Sequence, residues 1–315
     1  MGGNLCAAEI PQENASPTTY MWQHPLPANH SEVIICGSSV SVPCRALFMM
    51  CKEFDIPADL CGIDFAKHLY SPEHLAVNPI HSLPVALIYD KSKPDVPPVS
   101  VNGCEAIVYF LKEKYSSLIP QTFIPSDPLK KAAMMQKYFF LSTVVYRATM
   151  YQYVYPLLGL MSECQYDVCK RDFSLGIVED WAKAGSPYFE GKDPSFSDFF
   201  LFSLWMGNNW VRNDDFDLPW KHKDVIDKYP ATKAIIEGVG KLEGVKHVCA
   251  TPIGEGDAAI DIVNATGFFG MLAKEMPGNA RQFNFTDGGK IHPNMVGNSE
   301  EKGKVDMPHT LKACI

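Results

Sequence analysis

The sequence predicts an α/β N-terminal domain followed by an all-α helical-bundle C-terminal domain, with an extra N-terminal arm and a C-terminal extension. Three observations predict it. Short apolar runs of strand length alternate with helical faces between residues 31 and 116. A stretch with three prolines, residues 117–128, then reads as a linker. Beyond it the segment "MMQKYFFLSTVVYRATMYQYVYPLL" is apolar on most faces, as the central helix of a bundle must be.

The elements follow in order. Residues 1–30, rich in Pro, Asn and small polar residues, read as a flexible arm. Residues 31–116 form the α/β domain. Glu32–Cys36 reads as a buried strand, and Pro43 suits a first helical position. Leu47, Met50, Cys51 and Phe54 then share one helical face. Ala58–Asp64 reads as a second strand, followed by a short irregular or helical piece over Phe65–Val77. Pro84–Tyr89 and Val99–Asn102 are short strands joined by the proline-rich loop "KSKPDVPPVS". Ala106, Ile107, Phe110 and Leu111 mark a helix ending near Tyr115, so the order is β-α-β-(α)-β-β-α.

Residues 129–250 form the helical domain, with helices predicted over 129–160, 164–183, a run from Phe196 to Trp205, and Lys223–Leu242 interrupted at Pro230. "PSFSD" marks a helix start, with Ser195 as N-cap and Asp198 three residues on, a variant of the capping box. Residues 251–315 are loop-rich, with one short helix predicted over Asp257–Val263.

A net charge of −8 argues against the nucleic-acid backbone as the main partner. No apolar stretch reaches the ~20 residues of a membrane span, and no secretory leader is evident. The ten cysteines include no C-x-x-C pair and no zinc-ligand spacing, so they are expected as reduced thiols and no metal is expected. The start "MGGNLC" offers Gly2 to a myristoyl group and Cys6 to a palmitoyl chain. Cys stands where that motif takes Ser or Thr, and the departure favours a plain tail.

Ser41-Val42-Pro43-Cys44-Arg45-Ala46, at the first strand-to-helix junction, resembles the S-x-P-x-R-A turn of theta-like glutathione transferases. "NPIHSLPVAL" (78–87) resembles the family's N-P-x-x-x-[VL]-P-x-L segment, "EAIVYFL" (105–111) its next helix, and "PSFSDFFLF" its capped central helix. "KYPATKAIIEGVGKLEGVKHV" resembles its C-terminal helix, so the likeness runs in order over residues 33–250. It implies the glutathione transferase fold, in which the α/β domain is thioredoxin-like and binds glutathione. It also implies a cytoplasmic homodimeric detoxification enzyme acting on a small electrophile, with glutathione as cosubstrate and no tightly bound cofactor.

The resemblance places the catalytic hydroxyl at Ser41, with Ser38 and Ser39 as neighbouring alternatives; the competing role for Ser41 is helix capping. A free thiol with a pKa near ~8.5 must fall to about 6.5 to be mostly ionised, which needs ~2.7 kcal/mol. A donated hydroxyl supplies ~1.5–3 kcal/mol and a helix N-terminus ~0.3–1 kcal/mol. The pair suffices without a metal.

Pro84 is expected to be cis, with Leu83 presenting its backbone to the cysteinyl unit of glutathione. Gly103 and Cys104 stand where the family holds the γ-glutamyl group, and His68 is the choice, over Tyr70 and His81, for the glycyl carboxylate. Tyr146, Met150 and Tyr153 share a helical face that either walls the acceptor pocket or belongs to the core. Arg45 reads as a structural ion-pair partner. The chain departs from the family at Ser82, where Lys is common, and at Cys104-Glu105, where Glu-Ser or Gln-Ser is usual. These departures motivate a non-catalytic scaffold or interaction protein as the alternative function. A thiol reductase or isomerase using Cys44 is a third reading.

Overall fold

The structure is a computed structural model, and it describes residues 30–38, 41–63, 72–80, 82–149, 165–209 and 226–250. The N-terminal arm, the C-terminal extension with its predicted Asp257–Val263 helix, and the acylation candidates Gly2 and Cys6 lie outside these residues.

Strands β1 (Val33–Gly37), β2 (Ala58–Gly62), β3 (Val85–Ile88) and β4 (Val99–Asn102) form one sheet in the order β2-β1-β3-β4. β1 runs parallel to β2 and antiparallel to β3, and β3 pairs antiparallel with β4. Helices α1 (Val42–Glu53), α2 (Pro72–Val77) and α3 (Cys104–Lys114) complete the α/β half. The alternation of β1 sorts its side chains: Val33 and Ile35 join the main core beneath α1 and α3, while Ile34 and Cys36 form a second small core with Ile63, Val85 and Leu87.

The helical half holds α4 (Pro128–Phe140), a π-helical turn at Leu141–Val145, α5 (Tyr146–Thr149), α6 (Gln165–Gly185), α7 (Phe196–Asn209), α8 (Pro230–Val239) and α9 (Glu243–Ala250). The long helix predicted over 129–160 therefore contains a π turn where a regular helix was expected. Thr143 and Ser142 both donate hydroxyls to the carbonyl of Phe139, at 2.6 and 3.3 Å, and this competition with the backbone ladder accounts for the wider turn. Residues 150–160 lie outside the described set. Pro230 opens α8 instead of interrupting a helix. The α8 N-terminus is capped across the bundle: Glu179 of α6 accepts from the N–H groups of Ala231 and Thr232, at 3.1 and 2.8 Å, and from the Thr232 hydroxyl.

Helix α1 is buried almost all round, not on one face as its spacing predicts. The sheet residues Val33, Ile35 and Ala86 share its core on one side, and α7 and α9 of the bundle cover the other. The stretch between the two halves is also anchored: Ile119, Phe123 and Ile124 are buried, and Phe123 packs edge-on against Phe54 and Phe199. Aromatic area this large makes the two halves share one core. Among the described residues no helix is long and apolar enough to cross a membrane, and no cluster of three potential ligands could hold a metal.

Candidate functional site

Strand register brings three chain features to one end of the sheet. Cys36 at the end of β1 pairs with Val85 at the start of β3, which pairs with Asn102 at the end of β4. The turn into α1, the peptide before β3 and the start of α3 are therefore neighbours, although they are spread over some sixty residues of sequence.

The first feature is Ser41, half-buried at the N-cap of α1 with extended backbone angles. Its N–H donates to the Ser38 carbonyl at 2.9 Å, closing the turn. Its hydroxyl makes no capping bond to the helix; it faces the Cys44 sulfur. A thiol sulfur is a weak acceptor, so this hydrogen bond is a weak one. The first N–H groups of α1 lack intrahelical partners, as at any helix start, and Pro43 there supplies none. Ser38 is fully buried, and Ser39 lies outside the described residues.

Cys44 itself is buried under the turn. Burial pushes its thiol up to about 11, against the lowering hydrogen bond from Ser41, so it stays protonated at neutral pH. Gly37 is required opposite it, because a Cβ there would lie 2.6 Å from the Cys44 sulfur.

The second feature is the Leu83–Pro84 peptide, which is cis as expected. Among the described residues the Leu83 N–H and C=O have no backbone partner. Ser82 braces this turn: Asn78, fully buried, donates its amide to the Ser82 carbonyl and, at 3.3 Å, to the Ser82 hydroxyl. Sequence reasoning missed this role of Asn78, although the quoted "NP" dipeptide was its signal.

The third feature is the start of α3. Gly103 takes a φ of 91°, open to glycine, and its own backbone is committed: its N–H donates to Pro84 O at 3.3 Å and its C=O accepts from Ile107. Cys104 turns inward, 4% exposed, with its thiol donating to Pro43 O at 3.5 Å. What α3 leaves for an anion are the N–H groups of its first turn. Glu105 sits beside them, close to Gly103, and the Tyr138 hydroxyl of α4 lies within hydrogen-bonding reach of both its carboxylate and the Cys104 sulfur.

Of the other expected residues, His68, Tyr70, His81, Met150 and Tyr153 lie outside the described set. Tyr146 is half-buried at the seam between the halves, its ring edge-on to Phe200 at 6.4 Å and its hydroxyl within electrostatic reach of Arg45. Arg45 is 1% exposed and reaches α7: Nε donates to the Ser203 hydroxyl at 3.3 Å and Nη2 to the Ser203 carbonyl at 2.7 Å. Burial lowers the guanidinium to about 10, which leaves it charged at neutral pH.

This frame is shared by solved structures. A delta-class glutathione transferase from Nilaparvata lugens matches with a TM-score of 0.58 at 18% identity, over 78% of this chain and 100% of its own. An epsilon-class glutathione S-transferase from Musca domestica matches at 0.58 and 20%, over 77% and 98%. Glutathione transferase E6 from Drosophila melanogaster matches at 0.56 and 22%, over 76% and 97%. No family model matches the chain. The protein has the glutathione transferase fold: a thioredoxin-like α/β domain joined to an all-helical domain.

Proposed function

We propose that this chain belongs to the glutathione transferase superfamily as a divergent, theta-like member, and that it conjugates glutathione to a small electrophile. The observation that carries the reading is the half-buried Ser41 at the N-terminus of α1, its hydroxyl unused as a cap, at the same end of the sheet as the Leu83–Pro84 peptide. The theta-like label rests on the S-x-P-x-R-A turn alone.

In this reading the cysteinyl unit of glutathione pairs with Leu83, and its γ-glutamyl carboxylate meets the first-turn N–H groups of α3 at Cys104. Its thiol loses a proton to solvent, and Ser41 and the α1 N-terminus hold the resulting thiolate. The sulfur attacks the electrophilic carbon and the leaving group, such as a halide, departs with its electron pair. Tyr146 borders the acceptor side. The family pattern further supports a homodimer and a cytoplasmic setting, with no tightly bound cofactor.

The test is single-turnover conjugation of a reactive haloarene by the wild type and Ser41→Ala, with a glutathione thermal shift beside it. The expected result is a stabilising shift and a rate about 10- to 100-fold lower in the variant. Equal slow rates with no shift overturn the enzyme and leave the non-catalytic scaffold reading of the same fold.

A further inference from the structure

The second face of the sheet carries a feature that the proposed transferase chemistry does not use. Cys36 and Cys61 are direct register partners across the parallel β1–β2 pair. Paired residues on adjacent strands project to the same face, and their Cα atoms stand ~4.8 Å apart, inside the ~4.4–6.8 Å window a disulfide accepts. Both side chains belong to the small core formed with Ile34, Val85 and Leu87, whereas Cys44, Cys51 and Cys104 lie in the main core. The sheet thus isolates this pair from those three thiols.

The two sulfurs are in contact. The Cys36 thiol donates a hydrogen bond to the Cys61 sulfur, and the Cys61 thiol reaches the Gly62 carbonyl at 3.9 Å. Their accessibility differs: Cys36 is fully buried and Cys61 is partly exposed. That difference assigns an order of reaction, because an oxidant meets Cys61 first and Cys36 only through it. The hydrogen bond from Cys36 lowers the Cys61 thiol, against burial and the nearby Asp59 charge, which favours the nucleophilic thiolate at the exposed position. Tyr89 also faces the pair; burial, and then the two sulfurs, push its phenol up to about 12, so it stays neutral beside them.

We propose that Cys36 and Cys61 are a redox-active dithiol that hydroperoxides convert to a cross-strand disulfide, with Cys61 the attacking and Cys36 the resolving residue. The Cys61 thiolate attacks one peroxide oxygen; the O–O bond breaks, and hydroxide or alkoxide leaves with the electron pair. Cys61 becomes a sulfenic acid. The Cys36 sulfur then attacks the Cys61 sulfur, the S–O bond breaks, and the Cys36 proton leaves with the hydroxide as water. Two electrons pass from the two sulfurs to the peroxide, and two equivalents of a thiol such as glutathione restore the dithiol by exchange.

The full chain, reduced and then treated with stoichiometric hydrogen peroxide, is blocked with N-ethylmaleimide, digested without reductant and mapped by mass spectrometry. The expected product is a peptide linked through Cys36 and Cys61. Cys36→Ser is expected to accumulate a dimedone-trapped sulfenic acid at Cys61, and Cys61→Ser to leave Cys36 unoxidised. Phenylarsine oxide, which takes two thiolates on one arsenic, gives a reading on the wild type alone: one equivalent is expected to shield both cysteines from alkylation. The proposal is overturned if peroxide leaves both cysteines alkylatable, if either is found in a different disulfide, or if the arsenical leaves them open.

Discussion

The Arg45 guanidinium, on the first helix of the α/β half, donates to both the hydroxyl and the carbonyl of Ser203, 158 residues further on in the bundle. Ser203 in turn donates its hydroxyl to the Val42 carbonyl at 2.7 Å. The helix that presents Ser41 is thus fixed to the helical half one turn from the site. Ser203→Ala removes an acceptor for Arg45 and the donor to Val42, and is expected to cost about 2–3 kcal/mol. Arg45→Ala empties the volume of a large buried side chain and leaves the Ser203 carbonyl unmet, and is expected to cost about 2–5 kcal/mol. Guanidinium unfolding of both variants and of the double variant checks this. A double-variant loss smaller than the sum of the single losses is the expected sign of direct coupling, and strict additivity contradicts it.

Asp198 controls a second junction. Its carboxylate accepts from the Ser195 N–H and hydroxyl, each at 2.7 Å, and from the Phe189 N–H at 3.0 Å. Burial pushes its carboxyl up to about 6, against these hydrogen bonds. Between about pH 4 and 6 the folded state therefore binds more protons than the unfolded chain, and stability falls as pH rises. The contribution is full below about pH 4 and lost above about pH 6, and it amounts to about 3 kcal/mol. Asp198→Asn is expected to flatten this slope, and to lower stability at pH 7 by about 1–3 kcal/mol because an amide NH2 opposes a donor. Denaturation midpoints across that range read both effects, and an unchanged slope contradicts the assignment.

Glu105 places a carboxylate beside the N–H groups that would receive the γ-glutamyl carboxylate. Glu105→Gln keeps an acceptor for Tyr138 and removes the like charge. The expected effect is about 1 kcal/mol, a roughly fivefold tighter glutathione Kd by calorimetry. Weaker binding in the variant contradicts this placement of the ligand.

Local motifs made much of this structure legible from sequence. The strand-turn-helix around Pro43, the proline before β3 and the Ser195–Asp198 helix start each depend on neighbours within a few residues, where side-chain and backbone preferences act directly. What escaped depends on distant chain. Nothing near Arg45 points to Ser203, and the burial of α1 on two sides exists only once the bundle docks. The meeting of Cys36 with Cys61 is set by strand register, which spacing alone leaves open. The π turn escaped because a hydroxyl competing for one carbonyl leaves the hydrophobic pattern unchanged. At Ser41 the sequence allowed both a cap and a catalytic donor, and the structure shows the hydroxyl not acting as a cap.

The central claim, that Ser41 holds an ionised glutathione thiol, is tested most directly by titrating the ultraviolet thiolate absorbance of bound glutathione against pH. The wild type is expected to show an apparent pKa of about 6.5, and Ser41→Ala one raised by about 1–2 units with unfolding stability unchanged. A saturable thiolate signal with the same pKa in both proteins, or no such signal in the wild type, contradicts the account.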